Sequence, residues 1–331
     1  MNVGNNTTIP SSGPFLASPK WVLLFKGLMV TRVMPSISIF IILLSLPLNG
    51  LAVVTFTCRI RERKPAEIYM SHLACVDLLF TLLLPLKIHY RLNGSNWVFG
   101  EAACRLLSAA YYGNMYCSIL LMMCMSVDRL LGVAFPVASL TWRSTRKATC
   151  VCLLIGLLAL IGIVPLLSMK QTIRFENVGV TCFDVRADPS VMIYFFVFLT
   201  ILFISFFLPL VVILVSYSII LYVLCAKPDH SLTSSSSSDN RRRAVIMATA
   251  VLTEFVVCFA PSNGILLYHC VTYLVTGACR TDTFSAYKLA VCLGSSSVFL
   301  NPLLYYYSSS RYREQIHSVF WVCKAKTANI P

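Results

Sequence analysis

The chain alternates between long apolar runs and short polar segments, most of them basic. Seven runs are long enough to cross a bilayer as helices, at about 33–58, 66–91, 104–136, 148–169, 190–225, 242–273 and 283–307. The hydrocarbon layer is about 30 Å thick and a helix rises about 1.5 Å per residue, so roughly 20 apolar residues suffice. The third run, Cys104 to Pro136, organises the others. As a helix it covers roughly 37 Å between Cys104 and Arg129, which puts Cys104 and the Asp128-Arg129 pair at opposite membrane faces. The pattern predicts an all-α membrane protein. It has an N-terminal segment 1–32, a seven-transmembrane helix bundle 33–307, and a tail 308–331. In the tail Ile316, Val319, Phe320 and Cys323 recur at helical spacing, flanked by Arg311, Arg313, Lys324 and Lys326. That predicts a short amphipathic C-terminal helix lying on anionic membrane lipid.

Charge sets the orientation. The basic segments Arg59–Lys64, Arg143–Lys147 and Arg241–Arg243, with the basic tail, follow spans one, three, five and seven. Short basic loops stay cytoplasmic, which leaves the amino end outside and the carboxyl end inside. The glycosylation sequons at Asn5, Asn6 and Asn93 then all fall outside. Residues 1–30 lack a basic stretch followed by an apolar one, so no cleavable signal peptide is expected. Residues 226–243, with Ser234 to Ser238 inside, read as a polar mobile linker leading into a basic helix start.

Composition agrees. Of 331 residues 57% are hydrophobic and 12% charged, against about 25% charged in ordinary soluble domains. The net charge of +14 resides in topology-setting loops, with no basic patch interleaved with aromatics, so no nucleic-acid partner is expected. Most of the fourteen cysteines lie within apolar spans, where Cys behaves as a small hydrophobe. Cys150-Val151-Cys152 is too close for a structural zinc pair.

The chemistry of interest lies at mid-membrane depth, where polar groups are costly and point to function. Asn49, Asp77, Ser118 and Asn301 sit at comparable depth in spans one, two, three and seven. They form either a candidate sodium pocket or a hydrogen-bond network that packs helices; the residues themselves leave both open. Glu254 lies about two turns before Pro261, and a buried carboxyl can serve as a neutral hydrogen-bond donor. With Phe259 and Pro261 it is read as a hinge and modulator of span six. Prolines 47, 85, 165, 209, 261 and 302 each remove a helix hydrogen bond, which suits a bundle built to flex. His72, His89, His269 and His317 are scattered without helical partners, and no Ser-His-Asp set, HExxH or phosphate-binding loop occurs. No enzyme activity and no cofactor are expected, the candidate sodium ion aside.

Asn49, Asp77, Cys104 with Cys182, Asp128-Arg129, Pro209 with Tyr217, Pro261 and Asn301-Pro302-xx-Tyr305 together resemble the rhodopsin-like G-protein-coupled receptors. Within that class SLPLNGLAVV, KPAEIYMSHLACVDLLF, LPLKIHYRLNGSNWVFGEAACR, YYGNMYCSILLM, TCFDV, CFAPSN and NPLLYYY resemble the protease-activated (thrombin) receptor family, from about Ser45 to Tyr307. The resemblance implies a Cys104–Cys182 disulfide pinning the second outer loop to span three. It implies an inner switch of Asp128, Arg129, Tyr217, Asn301, Pro302 and Tyr305 that engages a heterotrimeric G protein once span six swings out. It implies sodium at Asn49, Asp77, Ser118 and Asn301, and an outer pocket for a peptide terminus at Asp184, Tyr268, His269 and Tyr287. Cys323 becomes a palmitoylation candidate, and the partners become an extracellular protease or peptide, the G protein and a second receptor in a heterodimer. The expected location is the plasma membrane.

The chain departs from that family at named points. Phe183 stands where its members carry a histidine, Gly156 where a tryptophan is usual, Leu130 after the switch arginine, and Asn301 where Asp often precedes the proline. Ser12-Gly13-Pro14-Phe15-Leu16 resembles a tethered ligand without a preceding Arg or Lys, the first basic residue being Lys20. The agonist is therefore expected either tethered or in trans. A receptor for a diffusible nucleotide or lipid is the alternative, as is a non-signalling co-receptor. Asn263, Leu266 and Val291 occupy the positions where nucleotide receptors carry phosphate-binding residues, which argues against a nucleotide. A transporter would show internal repeats, and a channel a filter segment; neither is found.

Overall fold

A computed structural model describes residues 25–60, 63–168, 170–175, 178–182, 200–201, 203–226, 234–276 and 284–318. Seven helices are long and apolar enough to span a membrane: α1 Met29–Arg59, α2 Pro65–Leu92, α3 Gly100–Ala134, α4 Thr145–Val164, α5 Phe203–Ala226, α6 Arg241–Tyr268 and α7 Ala286–Ser308. Asn5, Asn6, Asp184 and Cys323 lie outside the described residues, as does the side chain of His269.

α3 is the spine the sequence predicts. It packs against α2, α4 and α5, and Met115, Ile119, Leu121 and Met122 along its length are almost wholly buried. α4 is the most peripheral span, with Leu153, Leu154, Leu157, Leu158, Leu160 and Ile161 exposed to what would be lipid. A Cβ placed on Gly156 meets nothing within 4 Å. The missing tryptophan therefore leaves a gap on an outer face rather than a hole in the core.

Prolines shape the spans as their chemistry dictates. Phe203–Phe207 and Phe255–Phe259 are widened, π-type turns, each ending two residues before a proline, Pro209 and Pro261. Proline offers no N–H to the carbonyl four residues back, and the widened turn lets the preceding residues bond one position further along. α2 breaks at Leu82-Leu83 and resumes with Pro85 in the first turn of its outer part, where no N–H is needed. α7 is interrupted at Ser295-Ser296, whose neighbourhood is closed by side chains: Ser295 Oγ donates to the Val291 carbonyl at 2.8 Å and Ser297 Oγ to Gly294 at 3.0 Å.

Two segments differ from the sequence expectation. The serine run is helical, since Ser234–Glu254 forms one continuous helix leading into α6. Once a stable span nucleates a helix, each added residue needs only propagation, and serine opposes that weakly. The second outer loop contains a hairpin, β1 Thr172–Phe175 and β2 Gly179–Cys182, paired antiparallel with Thr172 opposite Cys182. After α7 a further helix covers 310–318; Val319 and Phe320, on which the amphipathic reading also rests, lie outside the described residues. It docks through Tyr312, which stacks on Phe56 of α1 with ring centroids 5.0 Å apart.

Candidate functional site

The functional residues fall in three layers along α3. At its outer end Cys104 and Cys182 are disulfide-bonded, with Cα atoms 5.7 Å apart. The bond joins the start of α3 to the end of β2, as the resemblance implies. The hairpin has a second anchor that sequence reasoning missed. The Glu101 carboxylate, one turn above Cys104, accepts from the backbone N–H of Gln171 at 2.7 Å and of Thr172 at 3.0 Å. It also accepts from the Thr172 hydroxyl and from Arg105 Nε at 2.7 Å. From the other side Asn96 Oδ1 accepts from Val180 N at 3.0 Å, and Trp97 N donates to the Val180 carbonyl at 2.6 Å. Gly179, at φ +103°, lies so close that a Cβ there would come within 2.3 Å of Asn96 Oδ1. Glycine meets both demands at that position. The spacing Glu101…Arg105 was a visible helical pair, but nothing local reveals a loop 70 residues away.

Of the expected outer-pocket residues, Tyr287 is buried and its hydroxyl meets that of Tyr112 on α3, whereas Tyr268 is substantially exposed at the outer end of α6. Asn93 is exposed, and its amide donates to the Asn96 carbonyl at 3.2 Å. Phe25 is fully buried beneath the hairpin, its ring 5.6 Å from that of Phe175 and its carbonyl accepting from Ser95 Oγ at 2.9 Å. Lys288 Nζ lies 3.9 Å from the Phe25 ring centroid.

The middle layer is polar and buried. Asp77 is fully buried; Asn301 Nδ2 donates to Asp77 Oδ2 at 2.8 Å. With its amide oriented to donate, Asn114 Nδ2 reaches Asp77 Oδ1 at 3.1 Å. Asn114 was not singled out in the sequence, although it stands one helical turn before Ser118. Ser118 is fully buried, and Ser118 Oγ and Asn301 Oδ1 have no hydrogen-bond partner among the described residues. Asp77 and Asn301 are thus in direct contact between α2 and α7, and Ser118 is a further buried polar group on α3. Asn49 has a different duty. Its Nδ2 donates to the Val298 carbonyl at 2.6 Å and to Ser45, tying α1 to α7.

Around the hinge, Phe259 is fully buried and packs edge-on against Phe255 at 5.6 Å, while Phe255 meets Phe206 of α5 at 6.0 Å. Asn263 Nδ2 and Ser262 Oγ both donate to the Phe259 carbonyl, at 2.8 Å and 3.2 Å. Glu254, one turn below, is 2% exposed and neither carboxyl oxygen has a partner among the described residues.

At the inner end Arg129 Nη2 donates to Ser308 Oγ on α7. Asp128 is not held by Arg129. Its two oxygens take Arg143 in a bidentate pair at 2.8 Å and 2.7 Å. That contact, from the loop between α3 and α4, was not predicted. The hydrogen-bonded carboxylate holds the Arg143 guanidinium above its ordinary range. Gly132 makes room for it, since a Cβ there would lie 2.9 Å from Arg143 Nη1. Arg129, Tyr217, Tyr305 and Ser308 line a cavity with Met70, Met122, Met125 and Met247. Four thioethers around one arginine make an adaptable apolar mouth at this end of the bundle. Pro302 lies inside α7, immediately after Asn301 of the Asp77–Asn301 contact. A double-mutant cycle on Asp128→Asn and Arg143→Ala is expected to give a coupling of about 1–3 kcal/mol in thermal unfolding. Additive effects would mean that the pair is not formed in solution.

Comparisons with known proteins coincide with this geometry. Residues 48–305 match the family model "7 transmembrane receptor (rhodopsin family)". The chain is 38% identical over 312 residues to proteinase-activated receptor 1 of Mus musculus, covering 94% of this chain and 69% of that relative. It is 38% identical over 297 residues to proteinase-activated receptor 1 of Homo sapiens, covering 89% and 68%. Proteinase-activated receptor 2 of Mus musculus is 34% identical over 310 residues, covering 92% and 75%. The family is one of receptors and not of enzymes. Seven spans, a strapped outer hairpin, a buried acid at mid-depth and an inner arginine accompany that similarity: the chain belongs to the rhodopsin family of G-protein-coupled receptors, in the proteinase-activated receptor group.

Proposed function

We propose that the chain resides in the plasma membrane with residues 1–32 outside, and transmits a peptide signal through the 33–307 bundle to a heterotrimeric G protein. The observation that carries this reading is the inner mouth. Arg129 is the one charged group among the described residues lining it, and a hydrogen bond to Ser308 on α7 holds it. A single hydrogen bond from the guanidinium to a neutral hydroxyl is weaker than a bidentate salt bridge to an acid on α6 would be, so the arginine is released more readily when α6 moves. Four methionines around it suit the apolar face of an inserted helix.

The names of the relatives point to activation by a proteinase; in this reading an extracellular protease frees a peptide, tethered or delivered in trans, that docks among Asp184, Tyr268, His269 and Tyr287. A sodium ion held by Asp77, Ser118 and Asn301, with Asn49 behind them, opposes the movement of α7 towards α2. Glu254, Phe259 and Pro261 set the balance of α6. Glycans at Asn5, Asn6 and Asn93, a palmitoyl group on Cys323, and the basic tail 308–331 on anionic lipid complete the membrane placement. A second receptor is the natural further partner where the agonist arrives in trans.

The test is calcium and cAMP readout in cells expressing the chain, after thrombin, trypsin or short free peptides. A response that disappears in Arg129→Ala at equal surface expression is the expected result. Response to peptides alone establishes activation in trans. Silence to all of them overturns the peptide reading in favour of a lipid or nucleotide ligand, or of a non-signalling partner.

A further inference from the structure

The outer end of α2 carries two cations on one face. Lys87 and Arg91 follow one another by a single turn in the regular helix Leu84–Leu92. Lys87 is half-buried, and Arg91 is 6% exposed. Lys87 Nζ donates to Ser295 Oγ of α7 at 3.3 Å, and Arg91 Nη1 donates to Ser95 Oγ at 3.4 Å. Both distances exceed the roughly 2.7–2.9 Å of a charge-assisted bond to a carboxylate. Arg91 Nε is buried with no partner among the described residues. A guanidinium taken out of water needs an anion or a full set of acceptors, and one long bond to a hydroxyl supplies neither.

Contacts join this face to α7. The Ser295 bond sets Lys87 against that helix, and Lys288 lies two turns further out on the same side of it. Lys288 is buried, with Nζ 3.9 Å from the Phe25 ring centroid. The Phe25 carbonyl accepts from Ser95 Oγ at 2.9 Å, and Ser95 Oγ in turn accepts from Arg91. Phe25 and Ser95 thus stand between Arg91 of α2 and Lys288 of α7, and three cations border one small cluster. The acid at this end of the bundle among the described residues is Glu101, whose carboxylate is taken by the hairpin backbone and by Arg105. Residues 1–61 contain no Asp or Glu, so the segment that reaches the cluster through Phe25 brings no carboxylate.

We infer that Lys87, Arg91 and Lys288 form an anion subsite that takes a carboxylate of the peptide agonist. This rests on the peptide reading of the outer end and adds the charge that the ligand carries. A guanidinium can present two N–H groups to the two carboxylate oxygens, and Lys87 contributes a point charge one turn deeper. Because residues 1–61 lack acids, a carboxylate bound here belongs to a peptide that arrives in trans.

The experiment follows thermal unfolding of the full chain in neutral phosphatidylcholine nanodiscs, at neutral pH and constant ionic strength. The probes are two peptides with amidated C-termini, each repeating residues 12–16 and ending in glutamate or in glutamine. N-acetylglutamate, inorganic phosphate and lysophosphatidic acid are the others. The glutamate peptide is expected to act at ~10-fold lower concentration than its glutamine twin, the factor one charge-assisted pair supplies. Lys87→Gln and Arg91→Gln should each remove most of that preference, whereas Arg174→Gln, at an exposed hairpin cation, should keep it. N-acetylglutamate alone should raise the wild-type unfolding temperature by ~1 °C or more at ~10 mM. Without any probe neither variant should melt below the wild type, since each sheds an uncompensated charge. A marked drop in both would show that an acid of the chain already fills the site, and overturns the proposal. A shift with phosphate or lysophosphatidic acid and none with N-acetylglutamate overturns the carboxylate in favour of a phosphate ligand. Equal action of the two peptides overturns the subsite and leaves the peptide reading intact. Silence to every probe also overturns the subsite, while the peptide reading stands or falls on the separate calcium response.

Discussion

Glu101→Ala is expected to lower the unfolding temperature by ~5 °C or more and to make the second outer loop hypersensitive to protease. The carboxylate receives four hydrogen bonds, two from hairpin backbone N–H groups, one from the Thr172 hydroxyl and one from Arg105. Bonds to a charged group contribute roughly 1.5–3 kcal/mol each when shielded. This group is 30% exposed on its side chain, so water discounts the sum to roughly 3 kcal/mol in all. At about 2 °C per kcal/mol for a chain of this size, the shift follows. Glu101→Gln retains an acceptor and should recover about half of it. The disulfide would still tether the end of β2, so the variant distinguishes holding the loop from shaping it. Limited proteolysis between Lys170 and Cys182, compared with Cys104→Ala/Cys182→Ala, reads this directly. If Glu101→Ala melts like the wild type, the carboxylate is solvated and the anchor does not exist.

The second large effect concerns the crossing of three helices at Gly294. A Cβ there would lie 2.6 Å from the Tyr111 hydroxyl of α3 and 3.1 Å from the Cys258 carbonyl of α6. The hydroxyl can shift, but the carbonyl belongs to the backbone beside the hinge. Gly294→Ala is expected to cost about 1–3 kcal/mol through overpacking, and Gly294→Val more, with α7 displaced from α6. Tyr111→Phe removes the hydroxyl and should rescue part of the Gly294→Ala defect. A non-additive double-mutant cycle in thermal unfolding is therefore the expected signature. Full additivity would show that the helices do not approach this closely. Because α6 and α7 meet here, the same variant should also change basal signalling, which the calcium readout measures.

The division between what was legible and what was not follows range. Apolar runs and prolines act locally, and each was readable: the seven spans, the spine role of Cys104–Pro136 and an irregular turn before Pro209 and Pro261 follow from them. The serine run was misread because linker composition is a weak prior beside a helix already nucleated by α6. The Asp128-Arg129 dipeptide is legible as a unit, yet its two side chains part company. One goes to Arg143 and the other to Ser308. Adjacent helix residues point about 100° apart, so they face different neighbours, and only packing decides which.

The same reason governs the remaining cases. The sequence by itself determined the seven-span organisation of this protein and its membership of a receptor class, because hydropathy and motif order are properties of a line. Tertiary structure alone decided that Glu101 and Asn96 clamp the outer hairpin, that Asn49 binds the α7 backbone, and that Asn114 completes the environment of Asp77. Depth in a membrane can be counted along a helix. Which side chains meet at that depth depends on the rotation and tilt of each span against its neighbours.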